Sequence, residues 1–321
     1  MKILVAGGAG YIGSCTTEYL LDRGHEVVVY DSLVKGHRGA VDPRARLIHG
    51  DLADRDRVFE ALRAERPQGV IHFAAFIEVG ESMRDAGLYF HNNVANGLNL
   101  LDAAVDCGVR KLVFSSTAAV YGMPATVPIP ESEPTKPINA YGESKLIFEK
   151  ILRWYHEVHG LAYTALRYFN AAGATEQRGE DHHPESHLIP IILQAAMKQR
   201  PHVQVFGEDY PTPDGTCIRD YIHVSDLAQA HLLALESPLC GSFNVGSGSG
   251  FSVKEIIQVA REITGQPIPV VVAPRRPGDP PRLVSDSARA RAELGWKPRF
   301  DDIRAIVSSA WAWRQQHPNG Y

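Results

Sequence analysis

The 321-residue sequence has no excess of positive charge: 33 Lys and Arg stand against 37 Asp and Glu, a formal net charge of −4. A nucleic-acid partner calls for a clear basic balance, so none is expected. Cysteine is scarce. Only Cys15, Cys107, Cys217 and Cys240 occur, with no C-x-x-C spacing. They read as reduced, mostly buried thiols in a reducing compartment. No apolar run approaches the roughly 18 residues of a membrane span, so no membrane partner is expected. The opening MKILVAGGAG passes into glycine too soon for a secretory signal. The expected location is the cytoplasm. Internal repeats and low-complexity linkers are missing as well.

What is present is ordinary soluble usage, 44% hydrophobic and 22% charged. A chain of this length can bury one large α/β core or two modest ones. The first half alternates β-rich runs with helical patterns, which predicts a parallel sheet with helices on both faces. The strand candidates are Lys2–Ala6, Glu26–Tyr30, Arg46–His49, Gly69–Phe73, Lys111–Ser115 and Ala162–Tyr168. Most are continuous apolar runs, as strands buried on both faces require. Helices are predicted over Thr16–Asp22, Val58–Ala64, Gly97–Cys107 and about Tyr141–His159, the last stopping at Gly160. Beyond residue 170 prolines and glycines become frequent. Segments near Thr216–Glu236 and Ser242–Val245 are expected to return to the sheet. A helix at Val253–Thr264, a Pro-rich loop at Ala273–Pro281 and two shorter helices close the chain. The expected division is 1–169, with the return at 216–245, and a smaller irregular part over 170–321.

The segment GGAGYIG follows the first strand and opens a helix. Gly7 permits a tight turn, Gly10 lets a pyrophosphate approach the backbone, and Gly13 allows close helix–strand packing. The helix start, with Tyr11 and Ile12, offers free N–H groups to phosphates. Eighteen residues after Gly13, Asp31 closes the second strand. A carboxylate there accepts from both adenosine ribose hydroxyls and repels a 2′-phosphate, which favours NAD over NADP. Lys35, His37 and Arg38 close behind oppose that repulsion.

Tyr141 and Lys145 stand four apart in AYGESK, on one face of a helix. A neutral tyrosine is a poor base. Bringing its pKa near 7 takes about 4 kcal/mol of differential stabilisation. A nearby ammonium and the positive ring of an oxidised nicotinamide are expected to supply it. The preceding strand ends in the hydroxyls Ser115, Ser116 and Thr117, where a substrate beside a dinucleotide should sit.

At this point the sequence resembles the extended short-chain dehydrogenase/reductase superfamily, and within it the UDP-glucose 4-epimerases. The likeness runs nearly end to end through GGAGYIG, GDL, HFAA, VGES, NNV, FSSTAAVYG, YGESK, LRYFNAAGA, YPTPDGTCIRDYIHVSDLA, FNVGSG and RRPGD. It implies a Rossmann-type doubly wound parallel sheet with a smaller C-terminal α/β substrate domain, NAD as cofactor, a UDP-sugar as substrate and a homodimer. Tyr141 would take the 4-hydroxyl proton, Thr117 would relay or orient it, and Lys145 would bind the nicotinamide ribose. Asp51 and Leu52 would flank the adenine. Phe73, Ala74 and Ala75 would line the pyrophosphate and ribose, with Asn92 nearby. Ser115 and Tyr168 would face the nicotinamide. Asn170, Leu188, Arg219, Arg276 and Asp279 would hold UDP, with Phe206 near the uracil and Gln204 beside it. Guanidinium groups suit a diphosphate by bidentate contact.

Three departures matter. Ile77 and Glu78 occupy the place where some members carry a phosphate-binding lysine. His187 stands where many have asparagine. Leu283 replaces the tyrosine of glucose-restricted members, so an N-acetyl group is expected to fit. The implied reaction is transient oxidation at C4 to a 4-keto sugar, rotation of the hexose, and hydride return. Ala118 and Ala119, after Thr117, cannot transfer protons, which argues against 4,6-dehydration. A 4-epimerase for another UDP-sugar and a non-catalytic NAD sensor are the alternatives. His182, His183 and His187 in EDHHPESH lack regular ligand spacing, so they read as a solvated loop and no metal is expected. Trp296, Trp311 and Trp313 read as packing residues, and Ala288–Leu294 as a charged helix face. Helices near Gly97–Cys107 and Tyr141–His159 are the dimer candidates.

Overall fold

Ile3 to Ala6 lose all contact with water and make up most of the first strand, β1 (Lys2–Ala6). After a turn of four residues α1 (Tyr11–Leu21) begins, followed by β2 (Glu26–Asp31), β3 (Arg46–His49) and α2 (Arg55–Glu65). Next come β4 (Gly69–His72), the short helices α3 (Val79–Ser82) and α4 (Ala86–Phe90), and α5 (Asn96–Asp106). The first half ends with β5 (Lys111–Thr117), α6 (Ala140–His159) and β6 (Ala162–Tyr168). The second half opens with β7 (Asn170–Ala172), α7 (Leu188–Ala196), β8 (Val203–Phe206), β9 (Ile218–His223) and α8 (Val224–Glu236). It closes with β10 (Gly241–Val245), β11 (Gly250–Ser252), α9 (Val253–Thr264), β12 (Val270–Ala273), β13 (Arg282–Leu283), α10 (Ala288–Glu293) and α11 (Ile303–Gln316). This computed structural model describes residues 1–276 and 279–321. Pro277 and Gly278 of the RRPGD string lie outside the described residues.

Seven strands form one parallel sheet in the order β10-β6-β5-β4-β1-β2-β3. From β1 the chain winds outward through β2 and β3, then returns to β4 and winds the other way. The order therefore reverses between β1 and β4, and a crevice opens there at the carboxyl ends of the strands. One face of the sheet is covered by α2, α5 and α6, around Leu62, Leu101 and Phe148. The other carries α1 and α8, around Leu20 and Leu227. A separate apolar cluster joins α7, α9 and α11 to β8 through Ile192, Ile256, Val307 and Val205. Two small sheets lie on that side, one in which β9 pairs with β11, β13 and β7, and the pair β8-β12. Among the described residues no helix is long and apolar enough to cross a membrane.

The structure differs from the sequence expectation at element ends. Helix α1 begins at Tyr11, not Thr16. Nearly all of its first two turns are buried, so no polar face marks the start. At α2 the side chain of Asp54 accepts from Arg57 N at 3.1 Å, setting the start at Arg55. The last helix, α11, has 14 residues and is longer than α9, so the expectation of two shorter closing helices holds only for α10. Gly160 ends α6 in the left-handed region with φ +71°.

Candidate active site

The crevice is one cleft of about 1450 Å³. Its floor is the turn after β1. Gly7 has φ +83°, and a Cβ there would stand 2.5 Å from Ala74 N, while one on Gly13 would stand 2.1 Å from Gly7 O. Only glycine lets β1, β4 and the first turn of α1 approach this closely. A Cβ on Gly10 would meet nothing nearer than Gly7 O at 3.5 Å, so the free space at Gly10 faces the cleft. Gly10 caps α1 without a side-chain bond, and Tyr11, Ile12 and Gly13 line the cleft. Those first-turn amides suit a pyrophosphate.

Asp31, at the end of β2, accepts from Ala9 N on one oxygen and Leu33 N on the other, each at 2.8 Å. Burial raises its pKa, and the two amides oppose that rise. Lys35 is engaged by Glu78 at 3.1 Å. This ion pair spans the loops after β2 and β4. Asp51, Leu52, Phe73, Ala74, Ala75, Asn92, Ser115 and Tyr168 all line the same cleft. A dinucleotide fits this set: a glycine cradle, a helix start and a carboxylate at the second strand end.

Asn139 caps α6 by accepting from Gly142 N at 2.7 Å. A Cβ on Gly142 would stand 2.7 Å from Ala119 O, so α6 packs tightly on the turn after β5. This sets Tyr141 against Thr117. Burial pushes the Tyr141 phenol up to about 12, and a hydrogen bond with Thr117 opposes the rise. Thr117 Oγ1 itself accepts from Ala119 N at 3.1 Å. Lys145 does not line the cleft; it is buried beneath it and donates to Ser115 O at 2.8 Å. Burial pulls its pKa down to about 7. Its Nζ stands 6.0 Å from the Tyr141 ring centre. Lys145 by itself therefore does not bring Tyr141 near 7, which leaves the expected lowering to the positive nicotinamide ring. Desolvation acts on both groups and disfavours both charges.

The opposite wall comes from the second half. Asn170, His187, Leu188, Gln204, Phe206, Arg219, Arg276, Asp279 and Leu283 line it, while Ala118 and Ala119 line the cleft on the side of Thr117. The Arg276 guanidinium lies 3.9 Å from the centre of the Phe206 ring. Arg219 is paired with Asp279, so one expected ligand-binding carboxylate occupies a guanidinium instead. Asn170 donates to Asp220 O at 2.8 Å. His187 sits against Glu180 at 2.8 Å. Burial alone would lower the His187 pKa, but the Glu180 and Glu185 carboxylates raise it. The loop carrying it is less solvated than expected, since Glu180, Asp181 and Glu185 are buried; His183 is exposed.

Sequence reasoning missed three supports. Asn93 clamps Phe76 through both backbone groups, at 2.8 and 3.0 Å, and reaches Ser144 on α6 at 3.1 Å. Glu149 on α6 pairs with Arg167 on β6 at 2.5 Å and accepts from Ser116 on β5 at 2.5 Å. Asp220 accepts from Ser247 N, Gly248 N and Ser285 N at 2.9, 3.1 and 2.9 Å. Polar residues inside the strings NNV and RDYIH, and one on the apolar side of a helix, were the available signals. All four cysteines are free, two buried and two half-buried. Trp296 and Trp313 are buried as packing residues.

The family described as NAD dependent epimerase/dehydratase matches residues 3–246. The chain is 52% identical to a UDP-glucose 4-epimerase of Lacticaseibacillus casei, over 100% of this chain and 99% of that one. It superposes on a crystal structure of a UDP-glucose 4-epimerase with a TM-score of 0.98, at 48% identity, covering 100% and 99% of the two chains. A UDP-glucose 4-epimerase from Brucella ovis in complex with NAD gives a TM-score of 0.94 at 46% identity, covering 97% of each.

Proposed function

The chain belongs to the NAD dependent epimerase/dehydratase family, and from that membership we propose that it interconverts UDP-glucose and UDP-galactose by inverting C4. One observation carries this reading. A single cleft holds the glycine turn, Thr117 and Tyr141 on one side and Arg219 and Arg276 on the other. A nucleotide cofactor and a diphosphate-linked sugar can therefore meet at Tyr141.

NAD, held by the glycine turn, the start of α1 and Asp31, would supply reversible hydride acceptance at the sugar's C4. Tyr141 takes and returns the 4-hydroxyl proton, and Thr117 orients that proton. Lys145, whose place in the family is on the nicotinamide ribose, lies just beneath the cleft on the Ser115 carbonyl and would have to leave that carbonyl to reach the ribose. Asp31 accepts from the adenosine ribose, and Asp51 and Leu52 flank the adenine. Arg219 and Arg276 hold the diphosphate while the hexose turns, and Asp279 fixes the Arg219 guanidinium. Ala118 and Ala119 line the cleft beside Thr117 and offer no proton donor, which disfavours dehydration.

We read residues 1–169, with the return at 216–245, as the NAD-holding part and 170–321 as the UDP-sugar-holding part. The reducing state of the four thiols fits a cytoplasmic enzyme of galactose metabolism. A homodimer through α5 and α6 is supported by Trp154 and Val158, exposed one turn apart on α6. Tyr155 on α6 donates to Asp102 on α5 at 2.6 Å and joins the two helices. A second reading, acceptance of N-acetylated sugars, rests on Leu283 at the cleft wall. Far slower turnover of UDP-N-acetylglucosamine than of UDP-glucose would remove it.

The test is conversion of UDP-galactose to UDP-glucose by purified protein, followed chromatographically with and without added NAD. Conversion without net NADH is the expected result. No conversion by folded, NAD-loaded protein would overturn the reading.

A further inference from the structure

The loop before α7 runs Glu-x-His-x-x-Glu-x-His from Glu180 to His187, and it folds back on itself. One side-chain donor atom from each of Glu180, His182, Glu185 and His187 lies within 4.8 Å of the other three. We propose that these four residues bind one zinc ion, which closes the loop at the wall of the cleft.

The separations fit that ion. A tetrahedron with metal bonds of about 2.0–2.2 Å has donor–donor edges of about 3.3–3.6 Å. Here His187 Nδ1 stands 2.8 Å from Glu180 Oε1 and 3.1 Å from Glu185 Oε1. His182 Nδ1 stands 3.2 Å from Glu180 Oε1 and 3.9 Å from Glu185 Oε2. Glu180 Oε1 thus lies 2.8 and 3.2 Å from the two imidazole nitrogens, near the ideal edge, while Glu185 faces His187 with Oε1 and His182 with Oε2 and would present one of these oxygens to the ion.

The polar inventory points the same way. The Glu185 side chain is 2% exposed, and its Oε2 has no hydrogen-bond partner. Its other oxygen accepts the amides of Ser186 and His187, both at 2.8 Å, which fixes the carboxylate plane. His182 Nδ1 is also buried and makes no hydrogen bond, although Glu180 is within reach. Unpartnered buried groups of this kind are costly. A cation among them satisfies both atoms at once.

Two imidazole nitrogens and two carboxylate oxygens form a borderline donor set. It suits Zn²⁺, whereas Mg²⁺ and Ca²⁺ demand more oxygen ligands. With four protein ligands the site is closed, so its role is structural. Glu180 is anchored to α11, because Arg314 donates to its carbonyl at 2.8 Å. His187 caps α7, whose first residues line the cleft. The ion thus ties the two ends of the loop together where α7 meets the substrate wall.

The test strips the full-length protein with a chelator, adds excess zinc sulfate, desalts it and measures retained zinc by mass spectrometry, with melting temperature in parallel. Wild type is expected to retain zinc in proportion to chain and to melt higher with it. Glu185→Gln and His182→Ala should each retain at least about tenfold less, since even outer-shell partners of a metal are worth that much. His183→Ala, at an exposed neighbour, should retain as much as wild type. The proposal is overturned if stripped wild type takes up no zinc. It is equally overturned if both ligand variants retain as much zinc as wild type, or if only His183→Ala loses it.

Discussion

Lys145 donates to the Ser115 carbonyl at 2.8 Å, and its Nζ stands 6.0 Å from the centre of the Tyr141 ring. The lysine is thus held by the strand that carries the Ser115, Ser116 and Thr117 hydroxyls, not by the tyrosine one turn away. Burial pushes Tyr141 up to about 12 and pulls Lys145 down to about 7, so the protein alone does not make a phenolate. A cationic group sharing the cleft is needed to bring the phenol down, and oxidised nicotinamide is such a group. Tyr141→Phe should therefore lower kcat by about 10²- to 10⁴-fold, the usual worth of a positioned base. Retention of NAD should be unchanged. Undiminished turnover would remove Tyr141 from its role.

Lys145 has an opposite effect on stability. Its folded pKa lies below its ordinary value of 10.5. The unfolded chain therefore binds the extra proton between about 7 and 10.5, and stability rises with pH in that window. Below about 7 the full cost of a buried ammonium is present. Lys145→Met, stripped of cofactor, should melt above wild type at pH 6, and the gap should shrink toward pH 9. The same variant should lose turnover and cofactor affinity. A variant less stable than wild type at pH 6 would contradict this account of the buried amine.

The Glu149–Arg167 pair lies behind the catalytic strand and joins α6 to β5 and β6. Removing one partner of a buried pair leaves the other unpaired and costs about 3–5 kcal/mol. Glu149→Ala should lower the urea midpoint accordingly. It should also reduce kcat, because Tyr141 rides on the same helix. Urea denaturation together with kinetics measures both effects.

Asp31 is held by two backbone amides, and Lys35 close behind it is engaged by Glu78. Asp31→Ala should weaken NAD binding by about 10- to 100-fold, the worth of a charge-assisted hydrogen bond. NADP should lose far less. Titration of stripped protein with both cofactors checks this.

Three buried histidines make the fold acid-sensitive. Burial lowers His72 to about 3, and His223 and His231 to about 4. The unfolded chain takes up their protons first, so their stability contribution is full above about 6.5 and is lost as pH falls toward 4. Asp31, Asp220 and Asp226 shift upward on burial and oppose this loss in the acid range. Comparison with His231→Leu isolates one histidine. Its urea midpoint should fall less than wild type's between pH 7 and pH 5.

Much of the fold was legible because buried parallel strands are written as apolar runs. Lys2–Ala6 and Ala162–Tyr168 begin and end where the residues change character, whereas the edge strand Arg46–His49 is half-exposed with polar ends. Helix α1 was less legible at its start, because Tyr11 to Thr17 are nearly all buried and carry no helical alternation. In the cleft, residues inside family strings were readable one by one. The placement of Lys145 beneath the cleft, the Arg219–Asp279 pairing and the Asn93 clamp depend on side-chain direction, which spacing does not encode. The folded loop from Glu180 to His187 was read as solvated for the same reason. Its donors meet only through the path of the folded loop, which spacing does not encode.

The most direct test of the account is turnover of UDP-galactose carrying deuterium at C4. Hydride removal and return within one cleft predicts UDP-glucose that keeps the deuterium at C4, with no net NADH. Loss of the label to solvent would contradict it.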